Sequence, residues 1–323
     1  MTSRSWVPAA LVATAVMALQ VLVLAPATAA DRGPRVSVTP AQLAKALVCS
    51  GPLAGLTRDP VLLTPAFSTG TESYGFGYQR QLPAIGITTC TLTLPDDGYG
   101  DLQYAAEYDV AAVRKISAAS GRKVVLIGHQ HGALDGLWAL KFWPDLRTRV
   151  SDFVALATPF NGTTSAAQLC RSTRLCPASY WQISARSTFL AALSGSLPPG
   201  PSYTSIASRY DELIVPQPSA SRLAGARNVV LQDVCPGRPV EHFTILADNV
   251  TYLLVLDALT HPGAADPSRL PAGACTGPLY LPGVAGPVGG IGLVQGFVGF
   301  LTGLLTHVGG SVPREPALRS YAR

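Results

Sequence analysis

Two rhythms of apolar and polar positions alternate along this chain. Short, unbroken apolar or β-branched runs occur at PVLLTPAF (Pro60 to Phe67), IGITTCTLTL (Ile85 to Leu94), KVVLI (Lys123 to Ile127) and VSDFVALATP (Val150 to Pro159). Runs of this length without polar alternation predict strands buried on both faces, as in a parallel sheet. Between them lie helical patterns. In YAAEYDVAAVRKISAASG, Ala105, Tyr108, Val113 and Ile116 share one face and Gly121 supplies a stop, and ALDGLWALKFW predicts a second helix. Further on, SYTSIAS and NVVLQDV read as strands and FTILADNVTYLLVLDAL as a helix. Strand, helix and strand in succession predict an α/β fold, mainly parallel, with helices on both faces. Ligands of such sheets sit at the carboxyl ends of the strands.

The ends of the chain have a different texture. MTSRSWVPAALVATAVMALQVLVLAPATAADRG carries a positive charge at Arg4, an apolar run, and small residues at Ala27, Ala29 and Ala30. That pattern predicts a secretory signal peptide over residues 1–30 and an exported or extracellular chain. Residues 31–280 then form the folded domain. Residues 281–323 form a Gly-rich apolar segment; Leu270 to Pro313 holds no Asp, Glu, Lys or Arg. IGLVQGFVGFLTGLLTHVGG (Ile291 to Gly310) has helical patterning with glycines on one side and arginines after it. Two readings stay open: an apolar cap over a ligand pocket, or a membrane anchor that attaches the protein to a surface.

Composition narrows the partners. With 323 residues, 48% hydrophobic and 13% charged, the chain can build one large core. The net charge of +5 is not gathered into basic runs, so nucleic acid is not an expected partner. Six cysteines in an exported chain predict three disulfides, and their spacings make no zinc pattern. Neither a metal nor another cofactor is expected.

Chemistry concentrates at Gly128-His129-Gln130-His131-Gly132, between a predicted strand and a predicted helix. This is the setting of the G-x-S-x-G nucleophile elbow, in which the central side chain sits on a strained turn and its glycine neighbours admit close backbone approach. Here the centre is glutamine. The partners of such a site appear in the order acid, then histidine: Asp211 in a turn-rich loop after a strand, and His242 ahead of a helix.

From about Leu43 to Cys275 the chain resembles the lipases similar to lipase B of Candida antarctica. The likeness is carried by LAKALVCSGP, DPVLLTPAFSTGT, GLWALKFWPDLRTRVSDFVALATPFNGT, YDELIVPQP and NVVLQDVC. It implies an α/β-hydrolase fold acting on hydrophobic esters or lipids, with the acid at Asp211, the base at His242, and Gln130 in the place of the nucleophilic serine. It also implies oxyanion donors at Phe67 and His131, where Ala66-Phe67 replaces a Gly-Thr pair and removes a hydroxyl donor. The same likeness pairs Cys49 with Cys90 and Cys235 with Cys275, leaving Cys170 and Cys176 to each other. A carboxamide cannot form an acyl-enzyme, so the resemblance implies a non-hydrolytic or severely impaired lipase-like protein that still binds lipid-like ligands. The competing expectation is an active ester hydrolase in which His242 activates water, or in which another residue such as His131 is recruited.

Overall fold

A computed structural model describes residue 2 and residues 32–67, 72–75, 77–282, 284 and 310–323. The signal peptide expected at 1–30 and nearly all of the apolar segment at 291–310 lie outside the described residues. Seven strands form one sheet in the order β1-β3-β2-β4-β5-β6-β7: β1 (Leu47–Cys49), β2 (Val61–Thr64), β3 (Thr89–Leu92), β4 (Val124–His129), β5 (Val150–Leu156), β6 (Ser202–Ala207) and β7 (Arg227–Val230). Only the edge pair β1 and β3 is antiparallel. Every residue of β2, β3 and β4 is buried, which explains why these strands read as unbroken apolar runs.

Helices cover both faces and create two cores. On one side the helices Leu102–Ser120 and His131–Phe142 pack Val113, Ile116, Leu134 and Trp138 against Leu62, Leu126 and Phe153. On the other, the helix Asn249–Thr260 sets Val250, Leu254 and Val255 against Leu63, Ile127 and Val154. The odd and even residues of β2, β4 and β5 thus serve different cores, the period-two rule of a strand. The helix from Leu102 ends at Gly121, whose φ of 66° gives the left-handed cap anticipated from the sequence.

Three expected elements differ in extent. Ile85 is not in a strand: it ends the helix Tyr78–Ala84, is 44% exposed, and is followed by Gly86 at φ +80°, so β3 starts only at Thr89. The NVVLQDV strand stops at Val230 and turns into Leu231–Val234, because the Gln232 side chain folds inward to accept from the Arg209 backbone N–H and donate to the Ser208 hydroxyl. The single helix expected over 243–259 is a short turn, Thr244–Leu246, and then Asn249–Thr260. Asp248 caps the second by accepting from the Thr251 N–H at 2.7 Å.

Three disulfides, Cys49–Cys90, Cys170–Cys176 and Cys235–Cys275, use all six cysteines. Leu281 and Val284 are buried in the second core, and residues 310–323 lie along the first. There Tyr321 sits against Phe142 and Trp143, with ring centroids 5.4 Å from each. Glu315 accepts from the N–H groups of Thr188 and Phe189. Among the described residues no helix is long and apolar enough to cross a membrane.

Candidate active site

β4 delivers its last residue, His129, directly to Gln130, and the helix begins at His131. Gln130 is held at φ 51°, ψ −122°, a region that side-chain-bearing residues rarely occupy. Its backbone N–H donates to the carbonyl of Leu156 at 2.9 Å. The flanking glycines make the turn possible. A Cβ on Gly132 would lie 2.4 Å from the Thr64 carbonyl oxygen, and one on Gly128 would lie 2.3 Å from the Ala133 nitrogen.

Asp211 and His242 meet at the carboxyl edge of the sheet. Asp211 follows β6, and its Oδ1 accepts from the backbone N–H groups of Leu213 (3.0 Å) and Ile214 (2.8 Å). That leaves Oδ2 to accept from His242 Nδ1 at 2.9 Å, with both side chains buried. A proton on Nδ1 leaves Nε2 as the acceptor nitrogen, the tautomer a general base requires. Burial alone would push the His242 pKa down, but the adjacent Asp211 carboxylate, its hydrogen bond, and Glu212 and Glu241 together raise it above its ordinary value. The segment bearing His242 is fixed from behind by the buried Arg238–Asp248 ion pair and the Cys235–Cys275 bridge.

The two histidines flanking Gln130 are buried and neutral. His129 Nε2 donates to the main-chain carbonyl of His242 at 3.2 Å, and the two rings stand 4.8 Å apart. Burial and then the nearby His242 charge hold the His129 pKa well down. His131 lies beneath Phe67, ring to ring at 4.4 Å, with its Nδ1 3.4 Å from Asp135 Oδ2. Burial depresses its pKa to about 3 and raises that of Asp135, disfavouring the charged form of each. Gly98 closes over the His131 ring so tightly that a Cβ there would lie 3.0 Å from Nε2. That imidazole is walled off from solvent.

Gln130 opens onto a cavity of about 230 Å³ whose apolar lining includes Phe67, Leu169, Tyr180, Leu213 and Ile214. Phe67 also stacks on Tyr99 and Tyr180, at 5.0 and 4.8 Å, and carries no side-chain donor. The structure therefore brings Gln130 and Phe67 to this cavity, buries His131 beneath Phe67, and joins Asp211 to His242. It shows no hydrogen bond between the Gln130 amide and His242 among the described residues; the elbow is tied to the histidine through His129. That role carries no signal in the sequence, since a histidine at the end of an apolar strand looks like any buried side chain. No group of acidic, His or Cys residues among the described residues is arranged to hold a metal ion.

A mainly parallel seven-stranded sheet, a positive-φ turn from strand to helix, and an acid–histidine pair at the carboxyl ends of the strands define an α/β-hydrolase. No family model matches the chain. Over 223 residues it is 30% identical to lipase B of Pseudozyma antarctica, an alignment covering 66% of this chain and 65% of that relative, so just under two thirds of the relative's length is spanned. Its structure matches that of Aspergillus fumigatus lipase B with a TM-score of 0.82 at 29% identity, over 90% of this chain and 73% of the other. A Bacillus licheniformis lipase in mature form shares the fold at a TM-score of 0.53 and 17% identity, over 67% of this chain and 98% of that one. In fold the chain is an α/β-hydrolase, and in sequence and structure it is similar to these lipases.

Proposed function

We propose that this chain is a secreted lipase-like protein that retains the acid and base of an ester hydrolase and has lost its nucleophile. It binds a hydrophobic ester or lipid in the Gln130 cavity without efficient turnover. The observation that carries this reading is the placement of Gln130 on the strained strand-to-helix turn, at φ 51°, beside an intact Asp211–His242 pair. At such a turn a hydroxyl would be exposed for attack. The lone pair of the carboxamide nitrogen is delocalised into its carbonyl, so no acyl intermediate forms there for water to cleave. Binding and any remaining backbone oxyanion donors give only about 10³ to 10⁴ over the uncatalysed rate. Export is supported by the signal-like leader and by three disulfides.

One alternative draws on the same pair: His242, with Nε2 free to accept, could take a proton from water and drive direct hydrolysis. Turnover of a short nitrophenyl ester by the purified mature protein, beside Gln130→Ser and His242→Ala, separates the two. The expected result is near-background turnover by the natural chain and a clear gain in Gln130→Ser, accompanied by labelling with a fluorophosphonate. Recovery should be incomplete, because Phe67 supplies no side-chain hydroxyl to the oxyanion and one missing donor is worth about 100-fold or more in rate. Robust turnover by the natural chain that vanishes in His242→Ala would instead establish the water route.

A further inference from the structure

A second cavity, of about 470 Å³, is lined by residues adjacent to those of the first. Thr163 and Ile183 face the Gln130 cavity, whereas Asn161, Arg186 and Ser187, from the same two segments, face this one. Its apolar wall includes Leu137, Leu190, Leu193, Leu197 and Leu223. Arg186 and Arg222 are among its lining residues, and no Asp or Glu is.

Both arginines are exposed. Arg114, Arg122, Arg149, Arg209, Arg227, Arg238 and Arg269 pair with aspartates, whereas several others, such as Arg35, Arg147 and Arg174, make no ion pair among the described residues. Among the described residues neither Arg186 nor Arg222 makes an ion pair. Their backbones are nonetheless fixed. Arg186 holds the left-handed conformation, φ 71°, beside Ala185, whose N–H donates to the Thr163 carbonyl. The Asn161 amide nitrogen donates to the carbonyls of Ser219 (2.8 Å) and Arg222 (2.7 Å). The neighbouring hydroxyls are already engaged: Ser187 donates to the Gln182 carbonyl and Ser194 to that of Ala191. Polar recognition at this cavity therefore falls to the guanidinium groups, whose planar forks match a carboxylate.

We infer that this cavity is a binding site for a single-chain amphiphile with a carboxylate head, the head held by Arg186 and Arg222 and the hydrocarbon chain laid against the leucines. Two uncompensated positive charges beside an aliphatic wall complement both ends of such a molecule and disfavour a neutral or cationic one of equal length. The volume falls within the range of small-molecule sites. The inference does not depend on Gln130 being a lost nucleophile.

The test is calorimetric titration of sodium dodecanoate, kept below micelle formation, into the full chain carrying Leu213→Trp, which fills the Gln130 cavity. One saturable site is expected, weakened by added salt, with 1-dodecanol and dodecyltrimethylammonium binding far less well. Adding Arg186→Gln and Arg222→Gln together should weaken dodecanoate by about tenfold or more. The Lys pair at the same positions keeps the charge and should bind at an intermediate strength, which controls for folding. Dodecanoate affinity unchanged by the Gln pair, equal binding of the alcohol, or loss of all binding on filling the Gln130 cavity would each overturn the assignment.

Discussion

His129 donates its Nε2 proton to the backbone carbonyl of His242 at 3.2 Å, tying the last residue of β4 to the residue that carries the candidate base. Because a carbonyl can only accept, His129 must be the Nε2–H tautomer; its Nδ1 is then a buried acceptor without a partner. The link spans 113 residues of sequence and fixes the main chain of His242 independently of Asp211, which fixes its ring.

From this geometry, His129→Phe should strand a buried carbonyl and destabilise the fold by about 1 to 3 kcal/mol. In the Gln130→Ser background the same change should lower kcat while leaving KM little altered, because the ring contacts the base and does not line the Gln130 cavity. Thermal unfolding and ester kinetics check the two halves. An unchanged kcat beside a lowered Tm would make His129 purely structural.

The raised pKa of His242 sets the pH response of an activity restored by Gln130→Ser. The base must be neutral, so the rate should climb with pH through the His242 pKa, and Asp211, Glu212 and Glu241 place that limb above the ordinary histidine value of 6.5. Asp211→Asn should bring the limb down and reduce kcat by several orders of magnitude, since the ring would lose the acceptor that holds Nδ1–H. The folded-state link has the opposite sense. A histidine whose pKa is raised on folding contributes stability that is fully present below about 6.5 and is lost as pH rises through the folded value.

The glycine frame of the turn gives a stability test. Gly132→Ala would drive a methyl group to 2.4 and 2.5 Å from the backbone oxygens of Thr64 and Pro65, neither of which can swing aside. A loss of several kcal/mol is expected, read as a large fall in Tm or as failure to fold. Gly121→Ala provides the contrast. No atom lies within 4 Å of its Cβ position, so only the strain of φ 66° remains, about 1 kcal/mol.

The central strands and the long helices were legible because their burial is continuous: β2 and β4 are buried throughout and apolar over Val61 to Leu63 and Val124 to Ile127, and Gly121 marks a helix end in the sequence as well as in the structure. The chemistry at 128–132 was legible because its glycines sit at fixed offsets from a strand. Asp211 and His242 carry little signal alone and were placed together through the family resemblance. What remained hidden depends on distant partners. Asp248 breaks an apolar run that reads as one helix, and it does so because Arg238 and the Thr251 N–H both bind its carboxylate. The second cavity gathers Leu137, Arg186 and Arg222 from segments that have no common pattern. Residues 68–71, and the apolar run 291–310 apart from Gly310, lie outside the described residues.

Residues 310–323 supply the last prediction. Arg314, Arg319 and Arg323 follow the apolar run as the flank of a membrane anchor would, yet this stretch packs on the helix that follows the elbow. The Trp138 indole nitrogen donates to the Tyr321 hydroxyl at 3.3 Å, and Tyr321 lies edge-on to Phe142 and Trp143. The Glu315 carboxylate accepts from two N–H groups at the start of the helix Thr188–Leu193, where a negative charge also meets the positive end of the helix dipole. Tyr321→Ala should destabilise the fold by about 3 kcal/mol through lost aromatic packing and an orphaned indole N–H. Glu315→Gln keeps one acceptor but removes the charge, and should cost about 1 kcal/mol. Chemical denaturation of the two variants and their combination measures both. Because Trp138, the partner of Tyr321, stacks on Phe189, whose N–H donates to Glu315, the losses should couple and not simply add; the tail would be shown not to bind the core if neither variant shifts the midpoint.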